Sequence, residues 1–219
     1  MIIKLPAKIR SMRKNIRHSF DQDTFFGDLF LINDNGKIVD ITNNHKDIIS
    51  NSSAITNSYI YLNGSESRII VKDHKRKLNF GAEDFTIDWW EYTFNDSEED
   101  QLLFNNGSIN IKNTDFKTVC MFDDSNLQEM LENDFKYKLK HEIWAHWAIV
   151  RSSNYIFLIN NGKIIKKVFS DKVLLNTNKY LVIGGQNNSY FHGMISNFRI
   201  TKDIALWIED FDLKNELYY

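Results

Sequence analysis

The stretch Trp144–Val168, WAHWAIVRSSNYIFLINNGKIIKKV, decides the fold. It reads as two antiparallel strands joined by a tight turn. Trp147, Ile149 and Arg151 alternate with Ala148, Val150 and Ser152, the two-residue period of a half-buried strand. Tyr155 to Ile159 is aromatic and β-branched, and Asn161-Gly162 supplies the positive φ angles of a type I′ turn. Ile164, Ile165 and Val168 carry the return. A hairpin of this length cannot bury its apolar face alone, so a second sheet has to cover it.

Working outward, the same device recurs. Asn35-Gly36, Asn63-Gly64 and Asn106-Gly107 each sit between alternating runs, at 28–41, 59–71 and 101–112. Asp84 to Phe94 reads as the core-forming strand, and Tyr180–Gly185 and Gly193–Thr201 as closing strands. Four Asn-Gly turns among alternating strands predict an all-β, antiparallel two-sheet sandwich. Leu206, Trp207 and Phe211 are expected to pack the tail back onto it. At 219 residues with 42% apolar content, one large domain over 21–219 is expected.

Residues 1–20 differ in character. Leu5, Ile9, Met12 and Ile16 recur at helical spacing, with Lys8, Arg10, Arg13, Lys14 and Arg17 on the other faces. The arm holds six Lys/Arg and no acid, leaving the rest of the chain at −8 under an overall charge of −2. A short helical N-terminal arm that docks on its own domain, on further copies or on neighbouring proteins is the expectation, with a homo-oligomer as the expected state. A lipid-surface helix or a nucleic-acid tail are the alternatives, but no aromatic interleaves the basic residues before Phe20, which weakens base stacking. No apolar run reaches signal-peptide length or a membrane span. The single cysteine, Cys120, excludes an intramolecular disulfide framework and reads as a strand thiol. The 27 Ile and 25 Asn against one Pro reflect base composition more than function. Residues 123–140 read as a rim insertion, with Asp123-Asp124-Ser125 placed to cap a short helix.

Three ordered blocks carry a family likeness. They are Tyr61-Leu62-Asn63-Gly64-Ser65 with Phe80-Gly81-x-x-Asp84-Phe85-Thr86-Ile87-Asp88-Trp89-Trp90, then Trp144-x-His146-x-Ala148-x-Val150-Arg151, then Ile183-Gly184-Gly185 with Phe191-x-Gly193-x-Ile195-x-x-Phe198-Arg199-Ile200-Thr201-Lys202. Over roughly residues 58–211 the chain resembles laminin-G-like (concanavalin A-like) domains, and most the versions in bacteriophage structural and tail proteins. The resemblance implies a jelly-roll sandwich and a non-catalytic recognition module of a phage tail or virion, extracellular in setting, that binds a cell-surface polysaccharide. A structural assembly protein that contacts only proteins, in a particle or the cytoplasm, is the alternative. For His146 the resemblance implies a structural hydrogen bond between strands.

The related glucan hydrolases carry Glu-x-Asp-x-x-Glu, whereas here the window is Thr86-x-Asp88-x-x-Glu91. The first carboxylate is missing, and Asp88 and Glu91 would face opposite sides of a regular strand, so no enzyme is expected. Calcium sites of related pentraxin-like domains follow the Ile-Gly-Gly block with acids, but this chain has Gln186-Asn187-Asn188 there and Ser196-Asn197 in place of the family's later acid. No metal is expected, with Asp21, Asp23, Asp123 and Asp124 as the weak calcium candidates.

Ligand binding through rings and amides remains. Phe85, Ile87 and Trp89 share one face of their strand, while Thr86, Asp88, Trp90 and Tyr92 share the other. A sugar's C–H face stacks on such rings, and amides reach its hydroxyls as donor and acceptor. Trp90, Tyr92, Gln186, Asn187, Asn188, Tyr190 and His192 are the expected glycan-binding residues. The competing expectation is that a crossing segment covers Trp90 and Tyr92, which then fill a second small core.

Overall fold

Phe85–Thr93 is buried along its whole length, on both faces, and the rest of the molecule is arranged around it. The computed structural model describes residues 29–34, 36–42, 44, 47–50, 53–56, 59–73, 77–94, 101–114, 117–122, 141–174 and 180–213. The N-terminal arm, the 123–140 insertion and the acids at 21, 23, 123 and 124 lie outside these residues.

In chain order the strands are β1 (Leu29–Asp34), β2 (Lys37–Asp40), β3 (Ile48–Ser50), β4 (Ser53–Thr56), β5 (Tyr59–Asn63), β6 (Ile69–Lys72), β7 (Phe85–Thr93), β8 (Gln101–Asn105) and β9 (Ile109–Thr114). They continue with β10 (Lys117–Phe122), β11 (Ala145–Ser152), β12 (Tyr155–Asn160), β13 (Lys163–Phe169), β14 (Tyr180–Ile183), β15 (Gly185–Gln186), β16 (Ser189–Tyr190) and β17 (His192–Lys202). A nine-stranded sheet runs β13-β12-β11-β7-β17-β1-β2, with β5 paired to β17 and β4 to β5. A six-stranded sheet runs β10-β9-β8-β14-β6-β3. All pairings are antiparallel, and the two sheets form the expected sandwich.

Alternation dictates the core. Phe85, Ile87 and Trp89 point between the sheets and are fully buried, as expected from their shared face. Trp89 stacks on Trp147 of the neighbouring strand at 6.5 Å between centroids, and Phe198 meets Phe104 of the opposite sheet at 5.5 Å. Rings of this size contribute most of the buried apolar area, about 25 cal/mol per Å2 removed from water.

The structure revises three readings. The Trp144–Val168 stretch is three strands, because Ser153, at φ 54°, starts a turn that pairs Ser152 with Tyr155 before Asn161-Gly162 turns the chain again. Asn63-Gly64 makes no hairpin: β5 belongs to one sheet and β6 to the other, each needing its own apolar pair (Ile60 and Leu62, Ile69 and Val71) inside. The side-chain Oδ1 of Asn63 instead accepts the amides of Ser65, Glu66 and Ser67, shaping a crossover between sheets. Finally, β17 is central and not a closing strand. A register shift between Ser196 and Arg199 lets it pair β7 throughout, while β5 and β1 share its other edge.

Arg151 ends β11 inside the protein with 1% of its surface exposed. Its guanidinium donates to the carbonyls of Gly81, Lys172, Ser170 and Ser153. One side chain thus gathers three loops at this end of the sandwich. Replacing it leaves buried carbonyls without donors, so Arg151→Met is expected to lower stability by about 3 kcal/mol in urea unfolding, with Arg151→Lys recovering only part.

Candidate functional site

Two surfaces carry the residues that sequence reasoning singled out, and they have opposite fates. The first is the outer face of β7. Thr86, Asp88, Trp90 and Tyr92 share it as expected, but it is closed: Trp90 is 9% exposed and Tyr92 6%. Residues 204–213 cross over it as a strap. Thr86 holds the start, its hydroxyl donating to the Ile204 carbonyl and accepting from the Leu206 amide, each at 3.0 Å. Asp210 holds the far end by accepting from the Ile164 amide at 2.8 Å and from Lys163 Nζ at 3.0 Å. The Phe211 amide donates to the Gly162 carbonyl at 2.8 Å. Gly162, at φ 77°, has no room for a Cβ beneath the Phe211 carbonyl, so glycine is required there twice over.

Trp207, 7% exposed, and Phe211 stack under the strap at 4.5 Å and 14°. Both pack the tail down as expected, whereas Leu206 remains 37% exposed and contributes its backbone. Trp90 and Tyr92 therefore fill a second small core with Tyr59, Met194 and Trp207 and offer no open ring to a sugar.

Beneath the strap lies a polar group of three. Arg199 grips Asp88 with two hydrogen bonds, Nε to Oδ1 at 2.7 Å and a terminal nitrogen to Oδ2 at 3.2 Å. His146 Nε2 stands 3.4 Å from Asp88 Oδ2, the interstrand contact that the resemblance implied. Burial alone would raise the Asp88 pKa, but the charge of Arg199 and the His146 contact outweigh it and hold the carboxyl below its usual 3.8. Burial pushes His146 below 6.5 against the pull of Asp88, so the imidazole is neutral at pH 7.

Glu91 points the other way, into the space between the sheets, where it accepts from Trp89 Nε1 at 2.9 Å and from the Thr93 hydroxyl at 3.4 Å. Asp88 and Glu91 thus occupy opposite faces of β7, as their spacing predicted, and share no cleft. Burial raises the Glu91 pKa from 4.5 to about 7, with the bond from Trp89 the largest opposing effect. Among the described residues no three His, Cys, Asp or Glu side chains gather as metal ligands.

The second surface is open. On the outer side of the six-stranded sheet a groove of about 460 Å3 is lined by Arg68, Ile70, Lys72, Tyr180, Val182, Gln186 and Asn187. It exists because Ile69 and Val71 of β6, and Leu181 and Ile183 of β14, face the core at 1% exposure or less, which turns their neighbours outward. Ile70 and Val182 oppose each other as an apolar floor, and Lys72 opposes Tyr180 at one end. At the other end a two-residue turn, Asn187 at φ 53° and Asn188 at φ 65°, joins β15 to β16. Asparagine tolerates this left-handed backbone better than most residues.

The expected site residues therefore separate. Gln186 and Asn187 line the groove, and Asn188 is exposed on the same turn. Tyr190 is half-buried against Gly185. His192 lies away from the groove, its ring beside Phe94 at 4.9 Å and its Nε2 3.4 Å from the Tyr61 hydroxyl. Sequence reasoning missed Arg68, Ile70, Lys72, Tyr180 and Val182. The signal was present in the alternation of Arg68-Ile69-Ile70-Val71-Lys72, which leaves two cations and one isoleucine on the outside.

The β7–β17 sheet, the second sheet across from it and the rim turn define a lectin-type sandwich. Residues 63–206 match the laminin-G family described as the concanavalin A-like lectin/glucanases superfamily, and the chain belongs to it. Among solved structures it is similar to the botulinum neurotoxin serotype D ligand binding domain in complex with N-acetylneuraminic acid, at TM-score 0.65 and 17% identity over 82% of this chain and 48% of that one. It is also similar to the binding domain of Paraclostridial mosquitocidal protein 1, at TM-score 0.62 and 20% identity over 86% of this chain and 50% of that one. The chain thus spans about half the length of these structures, and identities this low speak for the fold alone. No curated protein sequence matches it. Among the described residues no helix is long and apolar enough to cross a membrane.

The Glu91 carboxyl makes stability depend on pH. Its folded pKa lies above its unfolded value, so the folded form holds the extra proton between 4.5 and about 7 and loses stability as pH rises through that window. Glu91→Gln keeps an acceptor for Trp89 without the charge. It is expected to stabilise the protein by up to about 3 kcal/mol at pH 8 and by little at pH 4.5, as read from urea unfolding at both values.

Proposed function

We propose that the protein is a non-catalytic carbohydrate-recognition module that binds a cell-surface polysaccharide along the groove on its six-stranded sheet. The observation that carries this reading is the composition of the groove. An apolar floor of Ile70 and Val182 and the half-exposed ring of Tyr180 suit the C–H faces of sugar rings, and Gln186 and Asn187 supply donor and acceptor together at one end. Membership of a lectin-type family supports it. The saccharide bound to the botulinum neurotoxin domain supports the same class of ligand, although that domain is about twice the length of this chain and its site is not carried over. Asp88 and Glu91 on opposite faces of β7 give no pair of carboxylates flanking a sugar, which supports binding without hydrolysis.

The likeness of the three sequence blocks to bacteriophage tail proteins supports a place in a phage tail or other extracellular particle. The basic amphipathic pattern of residues 5–17 supports docking of the arm on neighbouring proteins or copies. Deleting residues 1–20 is expected to lower the oligomeric state in sedimentation; an unchanged species would remove the docking role of the arm.

For the groove, titration of the purified chain against bacterial cell-wall polysaccharides is the test. Tyr180→Ala and Asn187→Ala are each expected to weaken binding about tenfold while thermal unfolding stays unchanged. Affinity that survives both substitutions, or release of reducing ends from the polysaccharide, would sink the proposal.

A further inference from the structure

The groove's charge is at odds with the rest of the surface. Beyond residue 20 the chain carries a net −8, yet among the described residues the groove is lined by two cations, Arg68 and Lys72, and by no acidic side chain. The two stand four residues apart, Arg68 just before β6 and Lys72 at its end. Residues at such spacing share a face of the strand, with Cα atoms about 13 Å apart. Arg68 lies beside the amide end, near Gln186 and Asn187, and Lys72 lies opposite Tyr180.

We infer that the ligand of this groove is an anionic saccharide chain, bearing acid groups on more than one of its residues. The inference rests on the reading of the groove as a saccharide site and names the class of saccharide. A single small anion would use one cation and leave the apolar floor bare. A polyanion without sugar rings would have no use for the Ile70–Val182 floor or the Tyr180 ring. A glycan that lays rings along the floor and presents acid groups near each end uses every lining residue. Arg68 offers a planar fork suited to two oxygens of a carboxylate, sulfate or phosphate, and Lys72 a point charge. The net negative charge of the chain beyond residue 20 disfavours anions on average, which leaves the paired cations of the groove as the favoured place for such a ligand.

The test uses the full chain and three probes: polygalacturonate, the same polymer fully methyl-esterified, and dextran sulfate. Binding is measured at two salt concentrations. The expected result is binding to polygalacturonate or dextran sulfate that falls about tenfold or more in the double variant Arg68→Gln/Lys72→Gln. The charge-matched control Lys37→Gln/Lys202→Gln, away from the groove, keeps it. Which of the two acidic probes binds separates carboxylated from sulfated ligands. Equal binding of the acidic polymer and its ester would overturn the anionic class while leaving saccharide recognition standing. Equal loss in the control pair would reduce the effect to general charge attraction and overturn it as well. No binding to any of the three, nor to the cell-wall polysaccharides, would remove both readings.

Discussion

The Asp88–Arg199 pair is the constraint on which the outer layer depends. A carboxylate on the middle strand of the larger sheet would normally face water. Here Trp207 and Phe211 lie above it, so its charge has to be met from within the protein. Arg199, on the adjacent strand β17, meets it with two bonds, and the Trp207 ring packs 5.8 Å from the guanidinium carbon. Buried pairs of this kind add little net stability, but losing one partner strands the other charge at a cost of about 3–5 kcal/mol. The pair therefore acts chiefly on specificity. It fixes the register of β7 against β17 beside the bulge at Ser196 and gives the strap one place to sit.

Sealing the outer face of the larger sheet leaves the groove to the smaller one. The larger sheet spends its aromatic residues on packing: Trp90, Tyr92, Trp207 and Phe211 cover one another. Among the described residues no such strap crosses β6 and β14, and the side chains lining the groove there are mixed in character, with cations, a tyrosine, amides and two aliphatic residues. The two sheets thus differ: one spends its outer face on cohesion, and the other leaves the groove on its outer face.

Much of this was legible in the sequence. The two-residue period and the Asn-Gly turns predicted the antiparallel sandwich, and the face shared by Thr86, Asp88, Trp90 and Tyr92 was read correctly. What sits on that face was not decided by local pattern. Whether Trp90 meets a sugar or Trp207 depends on a segment more than a hundred residues away, and strand periodicity is blind to such a partner. The same limit explains Asn63-Gly64: a turn dipeptide fits a hairpin or a crossover equally well, and the choice falls to which sheet buries each flanking apolar pair. The groove was half read. The amides of the 186–188 turn were singled out because they follow a recognisable block, while the alternation that turns Arg68 and Lys72 outward was not read.

The strap also imposes an order on how the molecule is made. Residues 204–213 leave the ribosome after every described strand of both sheets. The sandwich can assemble its inner core while Trp90, Tyr92 and the Asp88–Arg199 pair still face solvent. During that interval the nascent domain displays an aromatic patch around a charged centre, the kind of surface that chaperones hold and that neighbouring chains adhere to. Arrival of residues 204–213 closes it. The strap is then a late step in closing the outer face of the larger sheet.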